Sequence, residues 1–266
     1  MVCVFGTSLW PTPLAVASSG DLLYSTFMLQ ATYVIATTNR PNLLHACISR
    51  IQSSPIPDGW KMTVSVCGLP DDPGRAVAEE LGCKYTCSSN NMAGTKMRLA
   101  AFAEASTNLY LITGDDDMQS PDRLAESIDH YEAGFLWSGG SSIVFHNVLQ
   151  DKTTLWTGDP QKVGTLFSVR GEALRGCGGW PDVRSGVDKG LSTRLLKWAT
   201  AHKHNKTQAL HSKAVCENTL CLQHGTNIWK QRPFPDIGKR TVFGAFLLTG
   251  VPSVQDRVEA CGVSCT

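Results

Sequence analysis

The chain is 266 residues long, 42% hydrophobic and 18% charged, the make-up of an ordinary globular protein of one large or two small domains. No apolar run approaches the roughly 18 residues that cross a bilayer, so no transmembrane segment is expected. The net charge of +1 conceals a split: residues 1–188 carry 13 basic and 19 acidic side chains, whereas residues 189–240 carry ten basic against two acidic.

Residues 1–20 are apolar and contain Ala15-Val16-Ala17, which resembles a signal-peptidase site. They lack Lys and Arg, and Pro11 and Pro13 interrupt the stretch, so secretion is not expected and residues 1–30 read as an extension outside the core fold. Thr32-Tyr-Val-Ile-Ala-Thr37 is a β-rich run, followed by Thr38-Asn39-Arg40-Pro41. Asn42 is expected to cap a helix whose apolar positions Leu43, Leu44, Cys47, Ile48 and Ile51 recur at helical spacing. Met62 to Cys67 is a second strand. A helix from about Arg75 to Leu81 is closed by Gly82, and Lys84 to Cys87 is a third short strand. Asn90-Asn91-Met92-Ala93-Gly94 is a polar turn into a helix from Thr95 to Ala105.

Leu109-Tyr-Leu-Ile-Thr-Gly114 then reads as a buried strand that runs into Asp115-Asp116-Asp117. Three adjacent carboxylates repel one another, and a divalent cation with its preference for oxygen ligands removes that repulsion. A solvated acidic turn is the alternative, with Ser120 as N-cap and Pro121 at the first helical position; it accounts for those two residues but not for the triplet.

Strands alternating with helices argue for an α/β fold with a mostly parallel, twisted sheet flanked by helices. After residue 121 the alternation loosens. Phe135-Leu-Trp137 and Ser142-Ile-Val-Phe145 flank Gly139-Gly140 as if in a hairpin, and Thr165 to Val169 is another strand. The ten cysteines include no CxxC pair. Cys216, Cys221 and His224, with Cys261 and Cys265, have the residue types of a zinc site, but buried free thiols in a reducing, cytoplasmic setting are the commoner outcome.

The order of these elements carries a resemblance. A strand with Thr-Thr-Asn-Arg-Pro, a second strand, an Asn-x-x-Gly-x-Lys helix, an apolar strand with Asp-Asp-Asp, then Gly-Gly-Trp and Val-Asp-x-x-Leu-x-x-Arg-Leu together resemble the family-2 glycosyltransferases of the GT-A, Rossmann-like fold. The resemblance covers about residues 32–200. It implies a nucleotide-sugar-binding half at 31–120, an irregular acceptor-binding and catalytic half at 121–240, and a tail at 241–266.

It also implies roles. An Asp-x-Asp motif contacts donor ribose and metal, here through Asp115 and Asp117 with Asp116 beside them, and His224 would complete the shell of Mn²⁺ or Mg²⁺. Thr37, Asn39 and Arg40 would border the nucleotide, and Asn91, Gly94, Lys96 and Arg98 the loop over the donor, with the Gly94 backbone open to an anion. Relatives keep an Asp-x-Ser acid after the second strand; here Cys67-Gly68-Leu69-Pro70-Asp71-Asp72 stands in its place. Asp188 maps to the general base of an inverting displacement, while a helix N-terminal acid stabilised by the macrodipole is the plainer reading.

For the acceptor, Gly179, Trp180, Trp229, Lys230 and Arg232 lie on the basic half. Aromatic rings and cations in that segment point to nucleic acid, such as a hydroxymethylated base in DNA. Lysines on solvated helix faces, with a polysaccharide, glycolipid or protein acceptor, are the alternative. A sugar-nucleotide nucleotidyltransferase would want a glycine-rich phosphate loop, and Thr37 to Arg40 has no glycine. A non-catalytic nucleotide-sugar-binding module is a further alternative. The oligomeric state is left open.

Overall fold

The computed structural model describes residues 28–140, 142–147, 152–157, 164–183, 186–210 and 219–223, and the structural statements below concern these. β1 (Leu29–Ala36), β2 (Trp60–Gly68), β3 (Lys84–Cys87) and β4 (Leu109–Gly114) alternate with α1 (Pro41–Gln52), α2 (Gly74–Glu80) and α3 (Ala93–Ala103). They are joined in one seven-stranded sheet by β6 (Trp137–Gly139), β9 (Ser168–Arg170) and β10 (Gln208–Leu210), in the order β10-β6-β9-β4-β1-β2-β3. β9 runs antiparallel to both of its neighbours, and the other pairings are parallel.

Side chains alternate across a strand, so β1 and β4 feed two cores. Tyr33, Ile35, Leu109 and Leu111 face α1, α2 and α4 (Arg123–Glu132), where Leu44, Ile48, Ile51, Ala78, Leu124 and Ile128 are buried. Val34, Tyr110 and Ile112 face the other way, against α3, α5 (Gly171–Gly176) and α6 (Val187–Ala201) through Ala100, Leu174, Leu191 and Leu195. The expected α/β architecture is the observed one.

A second sheet, in the order β5-β11-β7-β8, starts where the first ends. β5 (Asp117–Gln119) follows β4 after a two-residue turn and pairs with β11 (Thr219–Gln223), which pairs in turn with β7 (Ser142–Asn147), itself antiparallel to β8 (Lys152–Thr157). This corrects the expected hairpin around Gly139-Gly140. β6 stays in the first sheet and β7 enters the second, because the chain crosses between sheets there. A Cβ on Gly139 would lie 3.1 Å from the Trp137 ring and 3.2 Å from that of Phe167, so the crossing passes close over two aromatic rings.

Three local expectations shift. α1 begins at Pro41 with Arg40 as the flanking residue, since the fixed φ of proline suits the first helical position; Asn42 sits inside the first turn and does not cap it. Ser120, Pro121 and Asp122 form a turn closed by Arg123 N–H to Ser120 O at 3.2 Å, so α4 starts at Arg123. Gly164–Leu166 is a 3-10 turn, and the strand expected from Thr165 begins at Ser168. Gly82 does end α2, with φ at +67°. Among the described residues no helix is long and apolar enough to cross a membrane.

Candidate active site

β1 and β4 are parallel neighbours whose last paired residues are Ala36 and Gly114, so the loops after them share one end of the sheet. The acid tip is there. Thr37 Oγ1 donates to Asp115 Oδ2 at 2.8 Å, and Arg40 forks across two carboxylates, Nη2 to Asp115 Oδ1 at 2.8 Å and Nη1 to Asp116 Oδ2 at 2.5 Å. The contact at Asp115 Oδ1 is an ion pair rather than an aligned hydrogen bond. Burial, with the adjacent charge of Asp116, pushes the Asp115 carboxyl up to about 7 against the pull of Arg40 and Thr37.

Asp117 begins β5 and folds back over Gly114, whose N–H donates to Asp117 Oδ2 at 2.8 Å. A Cβ on Gly114 would be 2.7 Å from that oxygen, so glycine is what lets the strand end turn under its own acids. Thr165 Oγ1 donates to the same oxygen, and the Cys221 thiol also hydrogen-bonds Asp117. Burial and then Asp116 raise the Asp117 carboxyl above its ordinary range.

Asp188 lies in the first turn of α6, half-buried, 71 residues after Asp117. Burial raises its carboxyl to about 6; the Gly164 N–H, which donates to it, works against the rise, and the charge of Asp117 adds to it. The approach is close enough that a Cβ on Gly164 would lie 1.9 Å from Asp188 Oδ1. Adjacent residues of one turn, Gly164 and Thr165, therefore hold the two acids.

The expected donor loop is assembled differently from its sequence reading. Lys96 is buried and its ammonium donates to Thr37 O at 2.7 Å, to Thr38 Oγ1 and to Asn91 Oδ1 at 2.9 Å, which uses its three donors within the protein. It ties the Thr37 loop to Asn91 and does not reach outward. Asn39 is exposed and left-handed, with φ at +54°, and its N–H donates to Asp72 Oδ2 at 2.8 Å, while Asp72 Oδ1 accepts from Gly74 N–H at 2.8 Å. Both carboxylate oxygens of Asp72, in the loop after β2, are thus occupied by backbone N–H groups.

Gly94 is a packing point between α3 and a later loop. A Cβ there would lie 2.0 Å from the Pro181 carbonyl oxygen, so the start of α3 is pressed against the loop before α6. Arg98 closes the same contact through Nη2 to Asp182 Oδ1 at 2.8 Å, and Thr95 Oγ1 donates to that oxygen at 2.7 Å. Gly179, with φ at +66°, accepts at its carbonyl from Arg194 Nη1 at 3.0 Å. Trp180 is 1% exposed in the core beside Leu174 and Leu191, so its ring is not offered for stacking. His224, Trp229, Lys230 and Arg232 lie outside the described residues, as do Cys216, Cys261 and Cys265 of the imagined zinc site.

Among solved structures, residues 1–349 of S. aureus TarS align with a TM-score of 0.51 at 12% identity, covering 73% of this chain and 60% of that one. A second TarS structure aligns at 0.50 and 13% identity, covering 74% and 37%. Glucosyl-3-phosphoglycerate synthase of M. tuberculosis aligns at 0.50 and 12% identity, covering 89% and 82%. The fold is the GT-A fold of glycosyltransferases. This chain spans 60% or less of the length of the two TarS structures. No protein-family model matches it, and no curated protein matches its sequence.

Within this GT-A fold, sequence reasoning missed Gly164, Thr165 and Arg123. Arg123 is wholly buried, and burial works against its charge. Its guanidinium donates to Gln119 Oε1, to Thr165 O at 2.5 Å, to Ile112 O at 2.9 Å and to Phe167 O at 3.1 Å. One signal was available: Arg123 shares the buried stripe of α4 with Leu124, Ser127 and Ile128, where a charged residue is out of place unless satisfied.

Proposed function

We propose that this protein is a metal-dependent, inverting glycosyltransferase that moves a sugar from a nucleotide diphosphate donor, of the UDP-glucose kind, to an acceptor hydroxyl. The observation that carries the reading is the meeting of Asp117, at the start of β5, with Asp188, at the start of a distant helix, across Gly164 and Thr165. A metal-binding acid cluster for the leaving group beside a separate acid for the proton suits a single inverting displacement at an anomeric carbon.

Among the described residues no three His, Cys, Asp or Glu side chains form a ready-made metal centre. The donor set nevertheless suits a hard cation. Asp115 and Asp117 are oxygen donors whose carboxyls are raised by burial and by the charge of Asp116, and a divalent ion there would offset both. Asp115 and Asp117 would hold Mn²⁺ or Mg²⁺, with His224 and donor phosphate oxygens completing the shell. The ion would supply Lewis-acid neutralisation of the departing nucleoside diphosphate.

The chain's own residues do the rest. Thr37 orients Asp115, and Arg40 keeps a guanidinium at the acid tip where a phosphate would arrive. Asp188, with its carboxyl near 6, is mostly ionised at neutral pH and accepts the acceptor hydroxyl's proton.

For the acceptor, the reading is a hydroxymethylated base in DNA, supported by the charge of residues 189–240. In the described part of that segment Lys189, Lys197 and Lys203 are exposed. Arg194 donates to Gly179 O at 3.0 Å and Lys206, also exposed, to Ala133 O at 2.6 Å, and the other five basic residues of the segment lie beyond 210. The test is a mass-spectrometric screen of nucleotide sugars with Mn²⁺ against hydroxymethylated DNA and simple glycans. Asp117→Ala and Asp188→Ala should abolish transfer, and Asp188→Ala should keep donor binding; transfer that survives Asp188→Ala would refute the mechanism. DNA affinity that does not weaken with salt would refute the acceptor.

A further inference from the structure

Arg123 and Thr165 have no part in the chemistry proposed above, yet they border its acids. A carboxylate at a strand start can turn about its last torsion, and only donors fix which oxygen faces which way. Asp117 Oδ2 accepts from two, the Gly114 N–H at 2.8 Å and the Thr165 hydroxyl. The first comes from the end of β4, three residues back. The second comes from a turn 48 residues away and is the stronger of the side-chain donors, because the Cys221 thiol donates weakly.

Thr165 is itself held. Its carbonyl accepts from Arg123 Nη1 at 2.5 Å, and Arg123 Nη2 reaches Ile112 O at 2.9 Å and Phe167 O at 3.1 Å. Ile112 belongs to β4, the strand that ends in the acids, and its N–H donates to Phe167 O at 2.8 Å. Phe167 N–H closes the turn on Gly164 O at 2.8 Å. The hydroxyl of Thr165 is therefore referenced to β4, the strand that leads through Asp115 and Asp116 into the carboxylate that it binds.

We propose that Thr165 is a positioning residue: its hydroxyl, held by Arg123 through the Thr165 carbonyl, sets the orientation of the Asp117 carboxylate toward a divalent cation. This rests on the reading of Asp117 as a metal ligand. Partners that hydrogen-bond a ligating carboxylate typically change metal affinity by about 10–100-fold when removed.

The experiment measures Mn²⁺ binding to the donor-free full chain by the electron paramagnetic resonance signal of free Mn²⁺, with a urea denaturation curve for each variant. Thr165→Val keeps the shape and loses the donor, and Thr165→Ser keeps the donor. The expected result is a dissociation constant at least about 10-fold weaker for Thr165→Val and nearly unchanged for Thr165→Ser, both with native-like urea curves. Wild type that binds Mn²⁺ and Thr165→Val that binds it equally well would overturn the positioning role alone. Equal losses in both variants, tracking their urea midpoints, would overturn it in favour of a structural role. Wild type that takes up no Mn²⁺ alone and, beyond a protein-free UDP control, none with UDP present would overturn this role and the metal reading together; uptake only with UDP moves the same comparison of variants to that condition.

Discussion

Replacing Asp188 with asparagine should make the metal-free protein more stable at neutral pH, the reverse of most substitutions of a half-buried side chain. Asn has the shape of a protonated Asp and still offers an oxygen to the Gly164 N–H, so what changes is the charge. The folded-state carboxyl titrates near 6 against an ordinary 3.8, with burial the first cause. A group raised in this way contributes stability that is fully present below about 3.8 and lost as pH rises through about 6. The gap of about two pH units corresponds to about 3 kcal/mol, a ceiling because the residue is only half-buried. Urea denaturation in EDTA is the assay. Asp188→Asn should exceed wild type by up to about 3 kcal/mol at pH 7.5 and match it near pH 4, with equal m-values. A variant that is no more stable than wild type at pH 7.5 would refute the enclosure of this carboxyl beside Asp117.

Two further outcomes follow from the same geometry. Mn²⁺ should raise the melting temperature more at pH 7.5 than at pH 5.5, because the carboxyls of Asp115 and Asp117 are shifted upward and must be ionised to hold the cation. About 2.7 kcal/mol is expected at 100 times Kd, and an equal shift at both pH values would show that these acids are not the ligands. Gly94→Ala should destabilise by about 1–3 kcal/mol in urea, despite the better helix propensity of alanine, since its Cβ would meet the Pro181 carbonyl at 2.0 Å. A more stable variant would mean that α3 does not rest on that loop.

The strands, the helices and the acid tip were legible in the sequence because each is a local pattern. The apolar run from Leu109 to Ile112 ending in Gly114 and three aspartates needs no distant partner to be read as a buried strand with a charged end. The helical stripe of Leu44, Cys47, Ile48 and Ile51 is equally local, and all four are buried where the spacing puts them. Asp188 was found by its place in a motif, not by any property of its own neighbours in sequence.

Contacts between distant residues decided the rest. Whether Gly139-Gly140 turns a hairpin or passes from one sheet to another depends on which strands lie beside it, and β9 and β11 come much later in the chain. Trp180 and Lys96 look like surface groups for a ligand, but Trp180 is packed in the core under α6, and Lys96 spends its three donors on the Thr37 loop and Asn91. Thr165 reads as an ordinary strand residue until the fold sets it against Asp117, with Arg123 behind it. Spacing along a chain reports which face of an element a side chain takes. It carries no record of which hydrogen-bond partner meets it there, and at this site those partners hold Asp115, Asp117 and Asp188.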